Sequence, residues 1–219
     1  MYILAFDTTA SSCSVCLMKD NIEIVKTTQR MEFGQSEYLL PEIKKILDSI
    51  KKSFSDIGIV AVCVGPGSFT GVRASISAAR AFGIADKNLP IIGVSAFDAY
   101  LYSLAPDELA EVNAVIIETK REDFYYQLFD SRRNKITEPS TAYRDEILSE
   151  MKGKKVTIIG DGVERFLATP SGLNFNAIKM EMYPPVNKIA LCAEEKQKNG
   201  IGAFPKPLYL RAPDICRCG

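Results

Sequence analysis

Apolar and polar positions follow two spacings along the chain, and together they predict an α/β protein. Short apolar runs typical of strands occupy residues 2–7, 13–18, 22–28, 57–64 and 91–94. Apolar residues three and four apart predict an amphipathic helix over 36–50, with Ser36 as its N-cap and Pro41 causing a kink or a late start. A helix rich in small residues is predicted over about 70–86, and a third begins near Ser95.

The second half of the chain begins in the same way. Apolar runs at 114–117 and 124–129 are followed by a polar turn at 130–134, a helix after Thr141 and a strand at 155–159. Residues 167–182 show little periodicity, and 186–198 read as a helix. The repeated order of strands and helices predicts an internally duplicated α/β protein, with an N-terminal lobe at 1–105 and a smaller C-terminal lobe at 106–219.

Composition narrows the possible functions. Lysine plus arginine equals aspartate plus glutamate at 27 each, so the chain alone has no charge excess for strong nucleic-acid binding, and a partner would supply it. The first seven residues resemble neither a signal peptide nor a spanning helix, so we expect a cytoplasmic protein without membrane contact. None of the 219 residues is histidine, which removes the commonest general base and transition-metal ligand. The chain is better suited to hold a partner than to transform a substrate.

The cysteines do not predict a metal site or disulfides. Cys13, Cys16 and Cys63 lie in apolar strand-like runs, which favours reduced, buried thiols. Cys13 and Cys16 form a C-x-x-C, but residues three apart on a strand face opposite sides and cannot share one ion. Cys216 and Cys218 have no second pair to complete a zinc site, and they read as an exposed tail.

The first candidate site is the end of the first strand. There Asp7 is followed by Thr8 and Thr9, whose amides and hydroxyls could face a phosphate while the carboxylate holds a metal-bound water. The alternative is that these side chains close the hairpin by hydrogen bonds to its backbone. The turn has no glycine to admit a phosphate closely, which favours the alternative.

The second candidate is the glycine-rich loop between a buried strand and the small-residue helix. It matches neither a Walker loop nor a dinucleotide fingerprint. Amides from Ser68 to Thr70 could bind an anion near Arg73. A sharp turn capped by Ser68 or Thr70 is the alternative, and we favour it. The loop residues are Gly65, Gly67, Ser68, Thr70, Gly71 and Arg73.

The third candidate is the helix after this loop. Its small residues and few charges predict burial on more than one face, one against the sheet and the other against a second helix such as 36–50. Burial of both faces inside one domain explains the composition equally well.

Several segments together carry a resemblance to a known family. They are Ile3-Leu-Ala-Phe-Asp-Thr8, Gln35-Ser-Glu-Tyr-Leu-Leu-Pro41, Gly65-Pro-Gly-Ser-Phe-Thr-Gly-Val-Arg73, Gly160-Asp-Gly162 and Tyr209-Leu-Arg211. The chain resembles the TsaB, or YeaZ-type, family in the glycoprotease-like branch of the actin-like and Hsp70-like ATPases. The third segment is highly specific, the others are weak alone, and together they span nearly the whole chain.

This resemblance implies a two-lobed, duplicated ribonuclease H-like fold, with mixed sheets flanked by helices. It implies a non-catalytic subunit in the synthesis of threonylcarbamoyladenosine in tRNA, which binds and stabilises the catalytic paralogue TsaD. It also implies a TsaE-type ATPase and tRNA as further members of the complex, and a homodimer when the chain is alone. In the family, partners meet through helices that map onto 36–50 and 70–86. The residues expected at this interface are Leu39, Leu40, Ile43, Leu47, Ala74, Ser75, Ala78 and Phe82.

Two alternatives remain. One is an ATP-binding or ATP-hydrolysing enzyme, with ATP or ADP held between the lobes by Asp7, Thr8, Thr9, Asp161 and Gly162. A peptidase is weaker, because the histidine of a serine or cysteine charge system is missing. The chain also has Gln35 where family members usually carry histidine, so any role of that imidazole does not carry over. The family's nucleotide pocket does not carry over either, because the second lobe diverges at 168–182.

Overall fold

The computed structural model describes residues 1–201 and 204–211, which form two halves with the same order of elements. The first half contains β1 (Tyr2–Asp7), β2 (Ser12–Lys19), β3 (Ile22–Arg30), α1 (Gln35–Ser49), β4 (Ile57–Cys63), α2 (Phe69–Ala85), β5 (Ile91–Val94) and α3 (Ala96–Leu101). The second contains β6 (Val112–Glu118), β7 (Phe124–Asp130), β8 (Ser140–Ala142), α4 (Arg144–Met151), β9 (Val156–Gly160), α5 (Val163–Phe166), β10 (Asn176–Lys179) and α6 (Val186–Lys198). The predicted duplication is confirmed.

Each half builds one five-stranded mixed sheet, and the two strand orders correspond. The first sheet has the order β3-β2-β1-β4-β5 and the second β8-β7-β6-β9-β10. In each, the first strand pairs antiparallel with the second and parallel with the fourth, as Leu4 does with Leu17 and Val60. In the second sheet Ala114 takes the equivalent place, opposite Leu128 and Ile158. β1 therefore corresponds to β6, and β4 to β9.

The first sheet is buried on both faces, which explains its nearly continuous apolar strands. Leu4 and Phe6 face a core with α1, whereas Ile3 and Ala5 face a core shared with α6. Cys13 and Cys16 divide between these two cores in the same way, and their thiols are buried and free, as predicted. Cys216 and Cys218 lie outside the described residues.

The last helix of each half packs on the sheet of the other half. α6 packs on β1, β2, β4 and β5 of the first sheet, and α3 packs on β6 and β9 of the second. The two helices also pack on each other, inside a core that contains Val94 from one half and Val115 from the other. The boundary predicted after residue 105 separates the two sheets but not the helices that cover them.

The structure corrects the predicted N-cap of α1 and excludes one of the two effects predicted for Pro41, the late start. Its N-cap is Gly34, with φ +87° and no side-chain cap, rather than Ser36. The helix begins at Gln35 and runs through Pro41, so the proline does not delay its start. Glycine accepts this left-handed conformation without a Cβ clash, which removes the need for a serine cap.

In the described ranges, 1–201 and 204–211, no helix combines the length and the apolar character required to cross a membrane.

Candidate functional site

A cavity of about 340 Å³ lies between the two halves, at the ends of their first strands. From the first half, Thr9 and the loop at Gly67 and Ser68 line it. From the second, Lys120 and Asp161 do so. Its size falls in the range of small-molecule pockets. The fold thus brings the predicted β1 turn and the predicted 160–162 segment to one cleft.

The turn after β1 is held by a hydrogen bond within the turn and by another to the glycine-rich loop. Asp7 is fully buried, and its Oδ1 accepts a hydrogen bond from the Thr9 amide at 2.9 Å. The Thr8 hydroxyl donates to the carbonyl of Gly71 at 2.7 Å. Asp7 and Thr8 are not among the residues that line the cavity and lie beneath it, whereas Thr9, Ala10 and Ser11 line it.

The buried Asp7 carboxyl is electrostatically strained. Burial raises its pKa, only partly offset by hydrogen bonds from Thr9, and its Oδ2 has no hydrogen-bond partner among the described residues. Cys63 lies beside it, and its sulfur accepts a weak hydrogen bond from the Thr9 hydroxyl at 3.7 Å. Burial and the neighbouring Asp7 raise the pKa of this thiol well above its usual range, so Cys63 is no reactive thiolate.

The glycine-rich loop packs against the β1 turn instead of enclosing an anion. The Ser68 amide donates to the carbonyl of Thr9 at 2.7 Å, and the Ser68 hydroxyl caps α2 at the Gly71 amide at 3.4 Å. This confirms the predicted capped turn. A Cβ at Gly67 would overlap the Thr9 carbonyl, and one at Gly71 would overlap that of Thr8. Since its amide donates to Thr9, Ser68 does not offer this donor to an anion.

The second half repeats this arrangement. The Gly162 amide donates to the carbonyl of Ile116 in β6 at 3.1 Å, and a Cβ at Gly160, with φ +133°, would overlap the same oxygen. Gly162 is therefore engaged with its own sheet and does not offer its amide to a phosphate. In both halves, glycines after the fourth strand allow close backbone packing against the end of the first.

Asp161 is a cleft carboxyl with a raised pKa. Its Oδ1 accepts a hydrogen bond from the Glu118 amide at 3.0 Å, yet burial raises its pKa to about 7. Glu118 behaves differently: burial opposes its ionisation, but the bidentate Arg165, with both N–O distances 2.7 Å, holds its pKa below the usual range. Two carboxyls of the cleft thus have pKa values shifted in opposite directions, Asp161 upward and Glu118 downward.

Several cleft residues were missed from sequence. Glu118, Lys120 and Tyr100 line the cavity, as does Gln35, whose side-chain amide donates to the carbonyls of Met31 and Glu32. The duplication provided a signal, because Glu118 ends the strand that corresponds to β1. Within 1–201 and 204–211, no group of three acidic or cysteine side chains is placed to hold a metal.

The expected interface residues are mostly turned away from solvent. Leu39, Ile43 and Leu47 belong to the core between α1 and the sheet, with at most 5% exposure. Ser75 is fully buried, and its hydroxyl faces the carbonyls of Gly71 and Val72 in its own helix and the carbonyl of Cys63 as a hydrogen-bond donor. The Phe82 ring stacks on the Phe54 ring. Of the eight residues, only Leu40 is an exposed side chain, while Ala74 and Ala78 are half-buried. The prediction named mainly the inner faces of the two helices.

The outer face of α2 shares only Ala74 with the predicted set and consists mostly of small residues. Spacings of four and three place these positions on one helix face, and Ile84 is 77% exposed. The outer stripe consists of Thr70, Ala74, Ser77, Ala81 and Ile84.

Comparison with known proteins identifies relatives in one tRNA-modification system. The model of the family described as TsaD, tRNA N6-adenosine threonylcarbamoyltransferase, matches residues 34–201. The chain is 38% identical over 93 residues to the tRNA threonylcarbamoyladenosine biosynthesis protein TsaB of Buchnera aphidicola from Schizaphis graminum, which covers 42% of this chain and 43% of that protein. It is 39% identical over 98 residues to TsaB of Escherichia coli K12, covering 43% and 40%. The match spans about two fifths of the length of these relatives.

A solved structure agrees over a much longer stretch. YeaZ from Pseudomonas aeruginosa superposes with a TM-score of 0.80 and 20% sequence identity, covering 95% of this chain and 99% of that one. At this level of identity the superposition shows a shared fold, and the two mixed sheets flanked by helices agree with the duplicated architecture expected from the sequence.

Proposed function

Since this chain belongs to the TsaD family, whose model matches residues 34–201, we propose that it is a non-catalytic subunit for the synthesis of threonylcarbamoyladenosine in tRNA. In this role it binds and stabilises a catalytic TsaD protein. The TsaB names of its relatives support the pathway. The absence of histidine from all 219 residues is the observation that carries the non-catalytic role.

The cleft supports the same proposal. Ser68 and Gly162, which a phosphate site would use, donate their amides to Thr9 and Ile116. Asp7, which would hold a metal-bound water, lies below the cavity surface. A nucleotide could bind here only if these backbone contacts opened, so ATP hydrolysis is the weaker candidate.

Depletion of the protein tests the role in the cell. We expect threonylcarbamoyladenosine to fall several-fold in tRNA nucleosides measured by mass spectrometry, and to return when the chain is expressed again. An unrelated modified nucleoside in the same tRNA pool provides the internal control. Unchanged threonylcarbamoyladenosine in fully depleted cells would contradict the proposed function.

The outer stripe of α2 is the proposed docking face for TsaD. Its small side chains let a second helix approach closely, and the exposed Ile84 offers apolar area to bury. Leu40 of α1, 51% exposed, adds a second apolar side chain on the helix that packs beside α2. We propose that the isolated chain forms a homodimer through this same face. A second copy of the chain and the TsaD protein would then compete for it.

A charge in the middle of the stripe tests docking. Ser77→Arg places a long cation among small residues, and we expect its affinity for the TsaD protein of the same organism to fall at least tenfold, about 1.4 kcal/mol or more. Calorimetry or co-elution measures the loss. Ser149→Arg is the matched control, because Ser149 is equally an exposed helical serine but lies on α4 of the other half. Equal affinities of the two variants would remove α2 from the interface.

A further inference from the structure

The end of the described chain runs along α2. We call residues 204–211 the strap. Arg80 of α2 donates to the carbonyl of Pro205 at 2.8 Å, and one strap turn further on the Nε of Arg73 donates to the Tyr209 hydroxyl at 3.2 Å. Since the later strap residue meets the earlier helix residue, the strap is antiparallel to α2. It follows the helix for about 10 Å, the rise of two helical turns.

The strap and α1 border the outer stripe from opposite sides. A rotation of about 100° per residue places Arg73 and Arg80 on one side of the stripe and Ala78 and Phe82 on the other. Ala78 and Phe82 pack against the core to which α1 contributes Leu39. A protein that docks on the stripe therefore has α1 on one flank and the strap on the other.

The strap flank is basic. Neither α2 nor the strap contains an aspartate or a glutamate, and their charged residues are Arg73, Arg80, Lys206 and Arg211. Arg211 is paired with Asp123 of the second half. Arg73 and Lys206 are exposed, and neither forms an ion pair within 1–201 and 204–211. On a chain of zero net charge, this flank is a local surplus of positive charge next to the proposed docking face.

The same flank exposes ordered aromatic rings. Phe204 is 55% exposed and Tyr209 40%. The guanidinium carbon of Arg80 lies 5.2 Å from the centre of the Phe204 ring, and that of Arg73 lies 3.8 Å from the centre of the Phe69 ring, which contacts Tyr209. Aromatic and arginine side chains dominate the energetics of protein interfaces. Side chains that are already held in place lose little conformational entropy when a partner binds them.

We propose that the strap selects the partner at the outer stripe, because its cations and aromatic rings fit an acidic, partly apolar surface of the TsaD protein and disfavour a second copy of this chain. The choice of TsaD rests on the proposed function. A two-fold contact uses the same surface of both copies, so a homodimer brings the same set of cations to one interface. Nucleic acid fits this face less well, since the adjoining Ala74, Ala81 and Ile84 offer no side-chain donor to phosphates.

Charge reversal at Lys206 and at Arg73 tests the selection on the full chain. For Lys206→Glu and Arg73→Glu, we expect calorimetry to show at least about a fivefold loss of affinity for the TsaD protein of the same organism at low salt, and a smaller loss at high salt, which screens exposed charges. Sedimentation should show that neither variant weakens the homodimer, because each copy loses a like charge.

Lys152→Glu is the matched control. Lys152 is also an exposed lysine, but it lies at the end of α4 in the second half, so both affinities should stay unchanged. Lys206 forms no hydrogen bond or ion pair in the part of the chain that the structure describes, so its reversal leaves the strap in place even if Arg73→Glu displaces Tyr209.

Three results would contradict the selection. Unchanged TsaD affinity in both variants would place the strap outside the contact. Equal losses of TsaD and homodimer affinity would mean that the strap adds contact area without choosing the partner. Loss of tRNA binding by the full chain, with TsaD affinity intact, would assign the basic flank to RNA. Ser77→Arg and the nucleoside measurement test the proposed function without the strap, so a failure confined to Lys206→Glu and Arg73→Glu removes only the selection.

Discussion

Gly71→Ala is expected to unfold the protein or to destabilise it by about 3 kcal/mol or more, at the upper end of overpacking effects. The added Cβ would overlap the carbonyl oxygen of Thr8, which is part of the β1 turn and cannot rotate away. The substitution would also separate the Gly71 carbonyl from the Thr8 hydroxyl that donates to it at 2.7 Å. Urea denaturation followed by circular dichroism measures the change in the free energy of unfolding.

Gly83→Ala provides the control on the same helix. Its Cβ would meet no backbone atom but only the Ile91 side chain, whose Cγ1 at 2.8 Å must move, and alanine offsets this cost because it favours the helix by up to about 1 kcal/mol over glycine. We expect its free energy of unfolding to stay within about 1 kcal/mol of the parent chain. Similar losses in the two variants would show that the close contact between loop and turn is not what requires glycine at position 71.

Asp161→Asn is expected to change how stability depends on pH. Burial raises the folded-state pKa of Asp161 from 3.8 to about 7, so the folded state favours the protonated carboxyl. The contribution of Asp161 to the free energy of unfolding is fully present below about pH 4 and is lost as the pH rises to about 7. The asparagine variant keeps a neutral side chain throughout. Near pH 8 it should therefore be more stable than the parent by roughly 1 to 3 kcal/mol, relative to their difference at pH 4.

Denaturation curves at a series of pH values measure this difference. Asp7 leaves a residual slope of the same sign in the variant, because burial raises its pKa as well. Asp130→Asn is a control whose pH dependence of stability has the opposite sign. Hydrogen bonds from Asn134 lower the pKa of Asp130, so the ionised carboxylate stabilises the folded state. This variant therefore loses stability relative to the parent chain only above the acid range. A parallel pH profile for Asp161→Asn and the parent would mean that Asp161 ionises in the folded state as it does in the unfolded chain.

The strongest sequence patterns predicted the architecture well, for a physical reason. Strands buried on both faces, such as β4, must be apolar throughout, and α6 must carry a complete apolar stripe, so both were visible. β8 and β10 were not identified, because each lies at a sheet edge and has no fully buried residue. Edge strands satisfy their backbone on one side only and need little apolar sequence.

The interface prediction was misled by the same pattern that revealed the helix. Leu39, Ile43 and Leu47 recur at helical spacing because α1 needs them for its own core, so they are unavailable to a partner. Residues of the outer stripe such as Ser77 and Ala81 recur at helical spacing too, but they are small or polar and therefore do not register as an apolar pattern. Likewise, the engagement of the Ser68 and Gly162 amides could not be predicted from the sequence, because their acceptors, the carbonyls of Thr9 and Ile116, are distant in sequence.

The exchange of α3 and α6 between the sheets has a consequence for the origin of the chain. A half-length ancestor with this arrangement would leave one face of its sheet bare, because the helix that covers it belongs to the other copy. Only by pairing with a second copy of itself could such a polypeptide bury both faces. The present chain contains both halves of such a pair in one polypeptide, with the glycine-rich loop in one half and Asp161 in the other.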